Sequence, residues 1–237
     1  FQIFIKFKMK SLLIISLFLL NQVSLKLTKR SEYDYTSYSY ISKDTDVSGQ
    51  TIESAQADQS AVYITGSITL NNAKVHKNEG EASNIENSEF YGVNAALLVQ
   101  GGTLTMRGGE IITKVQGGNA LVATNEGVVN ITGTTITSTG SRSARGLHAT
   151  YGGNIDATSV TISTGGGSCA TLATDRGEGI VKCKECNLST KGAGSPLIYS
   201  TGSIIVEKTQ GTASGAQSVV VEGKNLAHIK DSSNLKC

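Results

Sequence analysis

The sequence predicts an all-β fold: a right-handed parallel β-helix, or solenoid, of about seven coils of 22–26 residues with three short strands each. Three observations point there. Short apolar runs open at Ala61, Ala96, Ala120, Gly146, Ala170, Pro196 and Ser218, spaced 35, 24, 26, 24, 26 and 22 residues apart. Inside each copy further apolar residues recur with period two, the strand signature rather than the helical one. Gly, Ser, Asn and Thr separate the runs, and such residues make turns. A unit this short cannot bury its apolar face alone, so it stacks on its neighbours.

Within a copy, the first strand carries the opening run, such as Ala120-Leu121-Val122-Ala123-Thr124. The second carries Ile68/Leu70, Leu104/Met106, Val129/Ile131, Ile155/Ala157, Val181/Cys183 and Ile204/Val206. The third is marked by Val75, Ile111, Ile136, Ile162 and Leu188, with Gly211 standing where the sixth copy should repeat them. Coils stacked through in-register backbone hydrogen bonds at about 4.8 Å would make a rod roughly 35 Å long. Pro196 begins a strand, where a missing N–H is tolerated. The first copy is long because residues 78–89 are inserted, and the expectation is a solvated acidic loop on one side of the rod.

The solenoid is expected over residues 59–237. Residues 1–8 precede Met9 and read as a non-native or upstream extension. Residues 9–26 read as a secretory signal peptide: Lys10, then an apolar stretch at 11–20, then a polar exit at Asn21-Gln22-Val23-Ser24. That stretch is too short for a membrane span, so none is expected. Residues 27–58 form a Tyr/Ser-rich segment, either a cap on the open end of the solenoid or a flexible arm, the cap being preferred. Leu235-Lys236-Cys237 falls inside a coil, and the native chain is expected to continue past it. The resulting address is secreted or cell surface.

A net charge of +2, 5% aromatics and no tryptophan leave no basic footprint for nucleic acid. Of the four cysteines, Cys183 and Cys186 form a CxxC without a second pair at zinc spacing. Cys183 occupies an inward ladder position, so a buried core cysteine is the first reading and a local disulfide the second. Cys169 and Cys237 have no evident partner. Asn130-Ile131-Thr132 and Asn187-Leu188-Ser189 are N-glycosylation sequons whose asparagines alternation points outward.

Candidate ligand-binding residues lie in the turn after the first strand, the most variable part of the repeat. Stacking would bring Tyr151, Asp175, Arg176, Glu178, Glu222 and Lys224 to one edge. Carboxylates beside Arg or Lys can hold calcium and neutralise a substrate carboxylate, which eliminative cleavage of a uronic-acid polymer requires. No cofactor is expected, with calcium the one ion the edge could take, and no catalytic or metal-ligating residue is assigned. His148 sits on a strand position held by aliphatic and aromatic residues elsewhere and reads as a packed histidine. Tyr91 and Tyr151 are the exposed aromatics expected to stack on sugar rings. On the third strand, Thr135-x-Thr137, Thr161-x-Ser163 and Asn187-x-Ser189 align outward in consecutive coils; such a flat array suits a repeating polymer, or an ice lattice, and a glycan on Asn187 would break its plane.

The phrases Phe90-Tyr91-Gly92-Val93-Asn94-Ala95-Ala96, Gly146-Leu147-His148-Ala149-Thr150-Tyr151-Gly152-Gly153 and Gly194-Ser195-Pro196-Leu197-Ile198-Tyr199-Ser200-Thr201-Gly202 resemble a family of secreted adhesin-like proteins with a pectin-lyase-like β-helix. The similarity spans about residues 48–237. More loosely, the chain is similar to β-helix carbohydrate-binding proteins. The function expected is that of a non-catalytic secreted solenoid whose flat outward face, rich in Thr, Ser and Asn, binds polysaccharide or a cell-surface glycan or mediates surface adhesion. A polysaccharide lyase is the alternative from a different class, and a structural wall or matrix protein is a third.

Overall fold

In a computed structural model, the described residues are Tyr33, Tyr35, Ile41, Ser42 and 45–237. They form a right-handed parallel β-solenoid of three eight-stranded sheets. The expected signal segment lies outside the described residues, as do 27–32, 34, 36–40 and 43–44 of the Tyr/Ser-rich segment.

Each coil contributes one strand to each sheet, as expected, but there are eight coils rather than about seven. The additional coil comes from β1 (Ile41–Ser42), β2 (Thr45–Ser48) and β3 (Thr51–Ser54). These pair in parallel with β4 (Val62–Ile64), β5 (Ser67–Asn71) and β6 (Lys74–Lys77). This coil escapes the repeat pattern because Val47 is its one buried aliphatic residue among those described.

The remaining coils follow the predicted register. In the first sheet Val62, Leu97, Leu121, Leu147, Leu172, Ile198 and Val219 stand on one another. In the third, Ile111, Ile136, Ile162 and Leu188 do the same. All but the half-buried Val219 join one apolar core, and burying each such side chain contributes about 1.5–3 kcal/mol. The ladder's exception has a packing reason. A Cβ at Gly211 would lie 2.6 Å from Leu197 Cδ1, so the buried Leu197 side chain of the same coil occupies that space.

Polar rungs line the corners. Thr150 Oγ1 donates to Thr124 Oγ1 at 2.9 Å, and Thr113 Oγ1 donates to Ser138 Oγ at 2.8 Å. Both pairs are buried, and each satisfies hydroxyls that would otherwise cost desolvation energy. Lys77 takes the same inward row as Thr113 and is fully buried, its ammonium donating to the Gln56 carbonyl. Burial pushes its pKa down to about 8 against the opposing pull of Asp58.

Cys183 and Cys186 are both buried, and they are joined as a disulfide rather than left as free core thiols. The three-residue separation bridges the corner between the second and third strands of the sixth coil. Cys169 is a buried free thiol: its sulfur accepts from the Ala144 N–H at 3.2 Å and donates to the Gly167 carbonyl at 3.1 Å. Cys237 is exposed.

The inserted segment is not the expected loop. It contains α1 (Ile85–Tyr91), the one helix of the described residues. Asn84 caps it, its side-chain oxygen accepting from the Glu86 and Asn87 N–H groups at 2.9 and 3.3 Å. Gly92 ends it in the left-handed conformation at φ 76°, where an added Cβ would lie 2.6 Å from Val122 Cγ1. Ser88 turns inward and donates to the Gly117 carbonyl, while the Asn119 amide donates to Ser88 O at 3.0 Å. The insertion is thereby fastened across the outer face of the first sheet.

Candidate functional site

Two outward surfaces could meet a ligand. The first is the outer face of the first sheet, whose central row is Tyr63, Leu98, Val122, His148, Ala173, Tyr199 and Val220. Tyr63, Leu98 and Val122 form a second, smaller apolar cluster with Ala95, against which Tyr35 packs. The two described tyrosines of the N-terminal segment thus lie along the side of the rod. Tyr33 stacks on Tyr91 at 4.7 Å, and Tyr91 stacks on Tyr151 at 5.8 Å with the planes 6° apart. Tyr91 and Tyr151 are therefore half-buried members of a three-ring pile and not the exposed platforms expected from the sequence. Burial and the neighbouring Tyr91 raise the Tyr151 hydroxyl above its ordinary range.

Beside the pile the predicted edge residues partly converge. The Arg176 guanidinium lies 3.7 Å from the centre of the Phe90 ring. Asp175 accepts from its neighbour's Arg176 N–H at 3.0 Å and from Arg145 Nη1 at 3.3 Å. Glu222 is exposed in the eighth coil, and its charge helps to raise the pKa of Tyr199. Glu178 and Lys224 stand exposed in the turns of the sixth and eighth coils. The single edge of six residues is thus replaced by a smaller cluster around Asp175 and Arg176.

That cluster opens onto a cleft of about 360 Å³ which no sequence pattern had singled out. It is lined by Glu89 and Phe90 of α1 together with Arg145, Asp175, Pro196 and Tyr199 of the coils. Arg145 is the hub. Its side chain is 8% exposed, 3.3 Å from Asp175, 3.9 Å from Glu89 and 5.8 Å from the Tyr199 ring centre. The same Nη1 lies 3.1 Å from His148 Nε2, which is also 2.7 Å from the Glu89 carbonyl oxygen. His148 is fully buried, as its strand position predicted, and burial followed by the adjacent guanidinium pushes its pKa down to about 3. Burial, then Glu222 and Asp175, pushes Tyr199 up to about 12.

A signal for the hub was present in the sequence. The residue before the first six strand openings is Ser60, Ala95, Asn119, Arg145, Cys169 or Ser195, all buried, while the exposed Gln217 precedes the seventh. One charged residue in a row of small or neutral ones marks a site needing partners.

The second surface is the outer face of the third sheet. Thr135, Thr161, Asn187 and Gln210 form one outward row, and Thr137, Ser163, Ser189 and Thr212 form the other. The register adds Gln210 and Thr212 as a fourth rung to the predicted three. In the earlier coils the same rows carry Lys74, paired with Glu110 at 3.3 Å, and His76, whose ring nitrogens lie 2.9 Å from Glu53 and 3.3 Å from Glu110. Asn187 is exposed on this face, and Asn130 is exposed on the second sheet.

Among the described residues no three His, Cys, Asp or Glu side chains converge to hold a metal ion, and no helix is long and apolar enough to cross a membrane. No protein family, curated protein or solved structure matches the chain.

Proposed function

We propose that the protein is a secreted, non-catalytic β-solenoid that binds a polysaccharide or cell-surface glycan along its third sheet. The observation that carries this reading is the pair of uncharged polar rows, Thr135-Thr161-Asn187-Gln210 and Thr137-Ser163-Ser189-Thr212. Hydroxyls and amides repeated about every 4.8 Å along a rigid face offer a polymer many equivalent hydrogen bonds. Each is weak, and engaging several coils at once raises the effective concentration of the rest.

The test is incubation of purified protein with insoluble neutral and acidic polysaccharides, with and without calcium. Depleted protein and released unsaturated sugar are read from the same tubes. Retention without product is expected. Released product would replace this reading with a lyase acting on uronic-acid polymers. Absence of both would leave a structural wall or matrix protein.

A further inference from the structure

The cleft on the first sheet is separate from the polar rows of the third and has a different chemistry. The rows offer only neutral hydroxyls and amides. The cleft offers a guanidinium held between two carboxylates, with aromatic and proline surface around it. We propose that the cleft is a second carbohydrate subsite, which takes one neutral pyranose ring, a chain end or side branch, and discriminates against uronic acids and amino sugars. From the reading above it takes only that the ligand is carbohydrate.

The selectivity follows from charge. Arg145 already faces Asp175 at 3.3 Å and Glu89 at 3.9 Å. Among the lining residues a ligand carboxylate would meet two carboxylates, Glu89 and Asp175, for one guanidinium, that of Arg145; Arg176 is not part of the lining, and its guanidinium is engaged over the Phe90 ring. A ligand ammonium would have to approach a guanidinium that sits between those same carboxylates. A neutral polyol escapes both conflicts, because each hydroxyl both donates and accepts. The 3.9 Å gap between Arg145 Nη2 and Glu89 Oε1 is too long for a hydrogen bond. A hydroxyl set there can accept from Nη2 while donating to a carboxylate, replacing a loose ion pair with two hydrogen bonds.

The receiving groups are fixed in place. Ser143 Oγ donates to Glu89 Oε1, and the Arg176 N–H holds the other oxygen of Asp175 at 3.0 Å. A hub 8% exposed pays little further desolvation on binding. Tyr199 and Phe90 present ring surface, and Pro196 presents an aliphatic edge, to the C–H face of a sugar ring. The volume of about 360 Å³ lies at the small end of the range of about 300–1,000 Å³ for small-molecule sites.

The experiment is saturation-transfer NMR followed by titration. The probes are the methyl pyranosides of glucose, galactose and mannose, set against galacturonate and glucosamine. At least one neutral pyranoside should bind, with galacturonate and glucosamine about tenfold weaker or more, the scale set by one mispaired buried polar group. Asp175→Asn and Tyr199→Ala should weaken the neutral sugar by about tenfold, while Tyr199→Phe, which keeps the ring, should retain it. Circular dichroism and thermal unfolding confirm that each variant is folded. Thr161→Lys, on the third sheet, should leave pyranoside binding unchanged. Galacturonate or glucosamine binding as tightly as every neutral pyranoside would overturn the inference. So would absence of pyranoside binding, or indifference to Asp175→Asn. Polymer retention lost in Thr161→Lys with no pyranoside bound would sink the cleft alone. Pyranoside bound with no polymer retained would sink the third-sheet reading alone.

Discussion

His148 occupies a row that is otherwise tyrosine, leucine, valine and alanine, and it remains neutral because burial and Arg145 both oppose its charge. Its folded pKa is about 3 against an ordinary value of 6.5. Between those values the unfolded chain binds a proton that the folded chain does not, so stability falls as pH drops below 6.5. The loss from this residue should reach about 2 kcal/mol at pH 5 relative to pH 7.5. Urea unfolding of the protein and of His148→Gln at both pH values measures it: the variant should lose less on acidification by that amount. Equal losses would show that His148 is not the titrating group. That it is packed was legible from its strand position. Its partners were not, because Glu89 and Arg145 reach it through an insertion and a turn whose conformations no periodicity encodes.

Among the elements, the strands were readable and the helix was not. Period-two alternation repeated six or seven times over fixes which residues face inward, and the ladders at Ile111, Ile136 and Ile162 confirm it. α1 is seven residues long, too short to show a helical period, and it owes its existence to Asn84, Gly92 and contacts with the first sheet. Its Asn84-x-x-Asn87 start and Gly92 stop were visible as letters, but the acidic composition around them suggested a solvated loop. Removing the cap through Asn84→Ala should cost about 1 kcal/mol. Since α1 carries Tyr91, Phe90 and Glu89, the same change should increase proteolytic nicking within residues 78–96. Unchanged stability and protease sensitivity would mean the helix is held by its sheet contacts alone. The disulfide was also undecided in the sequence, because Cys183 fits an inward rung whether oxidised or not.

For the whole molecule, stacking makes each coil depend on its two neighbours, so the cost of a core truncation should follow its place along the rod. Ile136→Ala, in the fourth coil and fully buried, should cost about 2–5 kcal/mol. Ile229→Ala, on an inward row but 46% exposed in the eighth coil, should cost about 0.5 kcal/mol or less. Similar losses at both sites, by thermal or urea unfolding, would contradict a stack stabilised by nearest neighbours. The same regularity explains what the sequence conveyed about function. It exposed the flat Thr/Ser/Asn array, which is a property of the repeat, and hid the cleft, which depends on departures from it. The most direct test of glycan binding along the third sheet is retention on whichever polysaccharide the protein binds, compared with the Thr161→Lys/Ser189→Lys double variant. Two lysines in the middle of the array replace small hydroxyls with long charged chains on adjacent rungs. The account predicts retention weaker by about tenfold or more with an unchanged unfolding midpoint, as expected when several weak contacts must act together. Undiminished retention by the folded variant would contradict it.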